Sequence, residues 1–332
     1  MYGLQDGSRV YVVGSGSKLP ARQVGNAELS PRLGLSPEQI EKSSGIRSRR
    51  WAAEGETTSG LGAAALELAM LDAGVGANQV DYLIFGTMTP DVQIPGTAPA
   101  VQNLLGFGAI PCLDIRAACC NALYGLQVGR ALIGSGVARC VALCLAEVQS
   151  AWLNMAPEDG TLSMLFGDGA SALILSGEPR PGALEVLDVV LATDGQYADD
   201  LGVRAPGTLF GSGPGDRWPR MNGRTIILHA SRRMTAACQE LLARNRLEPS
   251  DIHWLVPHQA NLNLMKGLAR ALGLSADSLV SIIETTGNTS SASMGLALDH
   301  LRRSGRLRAG QRVLLPAFAA GFTWGAGLLT VE

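Results

Sequence analysis

Cys119 sits in Ala117-Ala118-Cys119, after the apolar stretch 111–115 and ahead of a helical pattern, where a thiol is placed like a nucleophile. Two other segments hold possible partners: Val256-Pro257-His258-Gln259-Ala260-Asn261, and Thr286-Gly287-Asn288-Thr289-Ser290-Ser291-Ala292-Ser293. Cys, His and Asn together suit thioester chemistry, in which sulfur takes an acyl group and N–H donors stabilise the charge that develops on oxygen. A free thiol with a pKa of about 8.5 is mostly protonated at neutral pH, and a helix N-terminus or a nearby His lowers that value by one to several units. Leu123, Leu126, Val128 and Leu132 lie among small residues in 121–133, so this segment is expected to pack as a buried helix with its dipole aimed at Cys119. Cys120 is one position on and should point elsewhere on the helix. Spacing alone leaves Cys119 open as a nucleophile or as a core thiol.

His258 follows 254–257, a strand ended by proline, and precedes a helical run at 261–272, so it occupies a strand-to-helix switch where ligands gather. His229, His253 and His300 read as structural. Asn288 lies between Gly287 and a run of small hydroxyl residues, a composition that suits a turn as well as a site. Phe318-Ala319-Ala320-Gly321-Phe322 is a small-residue turn after the strand 313–315, and backbone N–H groups in such a turn can stabilise an oxyanion by about 3 to 4 kcal/mol each.

The elements that must position these residues alternate between short apolar runs and longer amphipathic ones: 9–13, 58–73, 82–86, 97–105, 112–115, 121–133, 140–145 and 170–175. A second series follows at 184–192, 226–242, 254–256, 261–272 and 313–318. Strand alternating with helix is the α/β pattern, used here twice. Phe166-Gly167-Asp168-Gly169-Ala170 parallels Phe322-Thr323-Trp324-Gly325-Ala326, each ahead of an apolar strand that would close a half. Asn121 with Arg130-Ala131-Leu132 has the spacing of Asn261 with Arg270-Ala271-Leu272. A duplicated fold results, with an N-terminal half at 1–178 carrying the Cys and a C-terminal half at 179–332 carrying the His and Asn; Gly and Pro at 176–182 break the periodicity between them. Residues 206–223 read as a long surface loop, and Gly14-Ser15-Gly16-Ser17 as a structural turn without phosphate-loop spacing.

The 332 residues carry a formal net charge of −2, with 17% charged and 46% hydrophobic side chains. That balance gives no footprint for nucleic acid. No run reaches the roughly 18 apolar residues that span a bilayer. Six cysteines without metal-knuckle spacing, and without a signal peptide ahead of them, fit a reducing cytoplasmic setting. No G-x-S-x-G elbow supports a serine hydrolase.

In order along nearly the whole chain, Gly45-Ile46-Arg47-Ser48-Arg49, 113–119, Phe166-Gly167-Asp168-Gly169-Ala170, Pro257-His258-Gln259-Ala260-Asn261, Gly287-Asn288-Thr289-Ser290 and Gly321-Phe322-Thr323-Trp324-Gly325-Ala326 resemble the beta-ketoacyl-acyl carrier protein synthase III family. The resemblance implies a thiolase-like fold with a duplicated α-β-α-β-α five-layer architecture and no cofactor or metal. It implies that Cys119 takes an acyl group from a coenzyme A or carrier-protein thioester. His258 and Asn288 then stabilise the enolate formed as a malonyl-type thioester loses carbon dioxide. The N–H groups of Cys119 and Ala320 form the second oxyanion hole, and Phe318 walls the site beside His258. Arg47, Asn261 and Asn263 fall on substrate- or carrier-binding positions. The family is usually a homodimer, with the loop at Gln93-Ile94-Pro95 reaching the partner's acyl pocket.

Departures from the family pattern bear on substrate. Cys120-Asn121 stands where a small residue and Gly usually follow the nucleophile, which reshapes the bottom of the acyl pocket. Gln39 and Asp159 replace the Trp and Arg that sandwich adenine, and Asn263 replaces an entrance Arg, with Lys266 and Arg270 one and two helical turns on. The segments 113–117, 124–127 and Asp194-Gly195-Gln196-Tyr197 look more like secondary-metabolite branches, nearest to quinolone-precursor condensing enzymes. The alternatives are acyl transfer from Cys119 to a hydroxyl or amine without decarboxylation, and a catalytically silent partner subunit.

Overall fold

The computed structural model describes residues 9–208 and 214–332. Five strands of the first series are β1 (Tyr11–Lys18), β2 (Tyr82–Gly86), β3 (Cys112–Ile115), β4 (Cys140–Glu147) and β5 (Gly169–Ser176). The second series gives β6 (Leu184–Thr193), β7 (Trp254–Leu255), β8 (Arg312–Ala319) and β9 (Thr323–Val331). The main helices are α1 (Thr58–Ala73), α2 (Asn121–Gly134), α3 (Gly223–Arg244), α4 (Leu262–Ala271) and α5 (Ser293–Arg303).

The strands join in the order β7-β8-β9-β6-β1-β5-β4-β2-β3. In each series the first strand pairs antiparallel with the last, the last antiparallel with the one before it, and that strand parallel with an inner one. The parallel pair β2–β3 has a counterpart in the isolated parallel bridge Leu255↔Leu279. Among the described residues, strands of the two series pair at Tyr11↔Glu185 and Val12↔Leu184.

Side chains alternate across the strands with period two and so sort the core into layers. Tyr11, Val13, Leu83, Phe85, Ala142 and Cys144 pack with α1 on one outer face. Val10, Val12, Ile84, Val141, Leu143, Val313 and Leu315 pack with α2 and α5 between the two series. Leu314, Phe318, Ala326 and Leu328 pack with α3 and α4 on the other outer face. The result is the α-β-α-β-α order expected from the resemblance, with the two central helices α2 and α5 starting at the candidate site. Cys140, Cys144 and Cys238 are buried and free, as small apolar side chains in a core are.

Three sequence expectations change. Gly14-Ser15-Gly16-Ser17 is not a turn: β1 runs through it to Lys18. A Cβ on Gly16 would stand 2.3 Å from Ala65 O, and one on Gly14 2.5 Å from Ala69 O, so the glycines let α1 lie directly on the strand. The central helix α5 was not anticipated: eight of its eleven residues are buried, and it starts inside the run of small residues 289–293 that reads as a turn. The expected loop at 206–223 includes a 3-10 turn, Pro214–Arg217, and the short pair Leu201–Gly202 with Arg220–Met221; positions 209–213 lie outside the described residues.

Candidate active site

Cys119 lies in a one-turn 3-10 helix, Ala118–Cys120, that runs directly into α2. Ala118 holds φ +48°, a conformation that non-glycine residues adopt only where their surroundings impose it. The turn is held from behind by Asn121, whose Oδ1 accepts the Ala117 N–H at 2.6 Å. Cys119 is half-buried, and its Sγ lies 3.5 Å from Ser290 Oγ. Cys120 points the other way, fully buried, with its thiol donating to Thr323 O at 3.4 Å. The lowered thiol pKa expected from sequence is not what the structure gives. Burial pushes the Cys119 thiol up to about 11; the Ser290 hydroxyl lowers it, and the Glu147 carboxylate adds to the rise. At neutral pH Cys119 is therefore a neutral thiol.

His258 sits in the loop between β7 and α4, its N–H donating to Pro316 O on β8 at 2.9 Å. The ring is buried, which depresses the imidazole pKa to about 4 and keeps it neutral above pH 5. Nδ1 lies 2.7 Å from Ser293 Oγ, and that oxygen also accepts the Gln259 N–H at 3.2 Å. Gln259 is fully buried and staples the loop to its neighbours: its Nε2 donates to Pro257 O at 2.8 Å and Val280 O at 3.2 Å, and its Oε1 accepts Ile282 N–H at 3.1 Å.

Asn288 follows Gly287, which has φ +66° and no room for a side chain, since a Cβ would meet Arg49 Cβ at 2.9 Å. The Asn288 backbone docks on the Phe166-Gly167 segment through Asn288 N–H to Leu165 O at 2.8 Å and Gly167 N–H to Asn288 O at 3.0 Å. Asp168 of that segment is buried and ties neighbouring loops, accepting Ala52 N–H at 2.7 Å and Ser150 N–H at 2.8 Å. The Asn288 side chain is oriented by Ser290 N–H, which donates to its Oδ1 at 2.8 Å. Its Nδ2 hydrogens are therefore the end turned to other partners.

One turn, 288–293, thus touches all three residues: it contains Asn288, meets the Cys119 sulfur through Ser290 and meets the His258 ring through Ser293. The sequence singled out Cys119, His258 and Asn288 but treated the intervening serines as turn composition. The signal for them was their spacing, two and five residues after Asn288.

The remaining expected positions divide. Ala320 is half-buried in the turn between β8 and β9. Phe318 packs in the outer core, its ring centroid 4.8 Å from that of Phe322. Phe322 in turn stacks on Tyr197 at 5.0 Å, which places the Asp194–Tyr197 segment against the Gly321-Phe322 turn. Ile94 is 90% exposed at the tip of a loop. Asn261 caps α4, with Oδ1 accepting Asn263 N–H and Leu264 N–H, while its Nδ2 donates to Ser43 O at 2.8 Å. Asn263 Nδ2 donates to Lys42 O and Ser43 O, both at 3.1 Å, so both amides hold the end of the helix Pro37–Ser44. Of the two arginines in Gly45-Ile46-Arg47-Ser48-Arg49, Arg47 is exposed but Arg49 is fully buried, with NH1 donating to Asn26 Oδ1 at 2.8 Å and NH2 to Met164 O at 2.6 Å. Burial lowers its pKa to about 10.

A thiol at the head of one central helix, with an imidazole and an amide joined to it by the turn that leads into the other, defines a thiolase-like condensing enzyme. The family described as 3-oxoacyl-[acyl-carrier-protein (ACP)] synthase III matches residues 113–195, and its C-terminal counterpart matches residues 242–331. The chain is 42% identical over 326 residues to "Beta-ketoacyl-[acyl-carrier-protein] synthase III 3" of Streptomyces coelicolor, covering 96% of each. It is 38% identical over 328 residues to "Beta-ketoacyl-[acyl-carrier-protein] synthase III" of Oleidesulfovibrio alaskensis, covering 97% of this chain and 99% of the relative. The solved priming beta-ketosynthase of the R1128 polyketide biosynthetic pathway superposes with a TM-score of 0.90 at 33% identity over 99% of both chains. The chain belongs to the 3-oxoacyl-[acyl-carrier-protein] synthase III family. It is an enzyme of the transferase class and catalyses acyl transfer with carbon–carbon condensation.

Proposed function

We propose that Cys119 carries the acyl group, taken from an acyl thioester, and that His258 and Asn288 stabilise the enolate released when a malonyl-type thioester loses carbon dioxide. The observation that carries this is the 288–293 turn, which contains Asn288 and contacts both the Cys119 sulfur and the His258 ring. In this reading the Ser293 hydroxyl, whose Oγ also accepts the Gln259 N–H, donates its proton to His258 Nδ1, so that the ring presents Nε2–H to substrate. Asn288 offers Nδ2–H in the same way. Two neutral donors stabilise an enolate without first protonating it, and the depressed imidazole pKa keeps His258 in that form. Acylation breaks the donor's C–S bond, forms the Cys119 thioester and transfers the thiol proton to the departing thiol. In condensation the enolate carbon attacks that thioester carbonyl, and Cys119 leaves as thiolate and regains a proton.

The N–H groups of Cys119 and Ala320 serve as the oxyanion hole of the tetrahedral intermediate, and Phe318 as a wall of the site. Arg47, which is exposed, is offered as a cation for a coenzyme A or carrier-protein phosphate. Asn261 and Asn263 are offered as residues that serve substrate or carrier binding by fixing the Lys42–Ser43 segment. A homodimer is supported by the exposed Ile94 and by β3, a sheet edge without a further neighbour among the described residues. The halves 1–178 and 179–332 each supply part of the site. Six free thiols fit a cytoplasmic protein, and no helix of the described residues is long and apolar enough to cross a membrane. The likeness to a polyketide priming ketosynthase supports a place in secondary metabolism.

The test is intact-mass spectrometry with peptide mapping after incubation with a panel of acyl thioesters, followed by malonyl thioester with carbon dioxide trapping. Acylation of Cys119 and carbon dioxide release support the reading. Acylation alone would replace it with acyl transfer to a hydroxyl or amine, and no adduct from any donor would point to a silent subunit.

A further inference from the structure

Glu147 ends β4 fully buried beside the site, and no sequence motif drew attention to it. Burying a carboxylate is costly unless donors replace its lost hydration. Here six neutral donors converge. The Ser291 hydroxyl lies at 2.6 Å and the Ser291 N–H at 3.4 Å. The Met88 N–H lies at 3.1 Å, the Thr89 hydroxyl at 2.9 Å, Gln149 Nε2 at 3.1 Å and the Thr87 hydroxyl at 3.4 Å. The charge does not serve the nucleophile directly, because a negative group near the thiol raises its pKa, the wrong sign for activation.

What Glu147 grips is the site's shared turn. Ser290 holds φ +48°, a conformation that needs external support. Ser291, the next residue, is anchored by Glu147, and the carbonyl of Ala292 by Ser171 Oγ at 3.0 Å. Just before that anchor, Ser290 contacts Cys119 and orients Asn288; just after it, Ser293 contacts His258. We infer that Glu147 is a positioning residue, whose carboxylate anchors the 288–293 turn across the two series of strands and so sets Asn288 and His258 against Cys119. The inference deepens the function proposed above and rests on it.

Glu147→Gln keeps the shape but turns an N–H₂ group toward the donors that now surround an oxygen. Ser291→Ala removes the shortest contact without touching the carboxylate and is the milder variant should Glu147→Gln fold poorly. In each, carbon dioxide release from malonyl-coenzyme A should fall about tenfold or more while acylation of Cys119 stays within about threefold of wild type. The second readout is the 15N resonances of His258, one of four histidines, which report its tautomer and its bond to Ser293. A displaced turn changes that signature in both variants, whether or not the wild type decarboxylates. Silence of the wild type toward malonyl thioester would overturn the proposed function, and the imidazole signal would still decide the positioning role. Unchanged His258 resonances in folded variants, or an equal fall in both half-reactions, would overturn the inference.

Discussion

At the residue scale the proposed chemistry is divided between a sulfur that carries an acyl group and two neutral donors that stabilise the charge developing on oxygen. Cys119→Ala should abolish acylation. His258→Ala should leave acylation within a fewfold while slowing decarboxylation by about 10² to 10³, the usual loss for one oxyanion donor; single-turnover mass spectrometry and carbon dioxide release separate the two. Equal loss of acylation in both variants would sink this division of roles. The pKa directions make two further expectations. Alkylation of Cys119 by iodoacetamide should climb as pH rises toward about 11, rather than level off near the value of a free thiol, because burial outweighs the Ser290 hydroxyl. Decarboxylation should persist as pH falls to about 5 and fail through about 4, where the buried imidazole takes a proton. The unfolded histidine binds its proton below about 6.5, so the same group makes stability decline as pH drops across that interval.

At the element scale the site depends on close approach. β1 and α1 are in backbone contact at Gly14 and Gly16, and Gly287 passes Arg49 and Leu165 with no space for a Cβ. Gly16→Ala should destabilise the protein by about 3 kcal/mol, read as a fall in the urea midpoint with unchanged slope, since neither backbone can retreat from a fixed sheet. A change below about 0.5 kcal/mol would mean that α1 shifts freely. Most elements were legible in the sequence: α1, β2 and β3 fall on their expected bounds, because 58–73, 82–86 and 112–115 have the length and composition of their class. The misread segment was 14–17, where Gly-Ser alternation looks like a turn and only the neighbouring helix explains it. The unread one was α5, whose first residues continue the small hydroxyl run 289–293 and so read as turn rather than helix.

At the scale of the whole molecule, two sets of strands meet along two residue pairs, and the site lies where α2 from one and α5 from the other begin side by side. The proposed homodimer would cover the exposed Ile94 and the edge at β3, which has no further neighbour among the described residues. Sedimentation velocity at micromolar concentration should show a dimer, and Ile94→Asp should change acyl-chain preference more than it changes carbon dioxide release; a monomer with wild-type activity would refute this. By itself the sequence determined the α/β class and the family, and it singled out Cys119, His258 and Asn288 as the proposed nucleophile and donors, because residue types and their order can be read directly from it. Only the tertiary structure decided that the Cys119 thiol is raised rather than lowered in pKa, that Arg49 is buried, that Asn261 and Asn263 spend their amides on the Lys42–Ser43 carbonyls, and that Glu147 holds the turn joining all three site residues. These depend on desolvation and on contacts between segments more than a hundred residues apart, which no local pattern encodes.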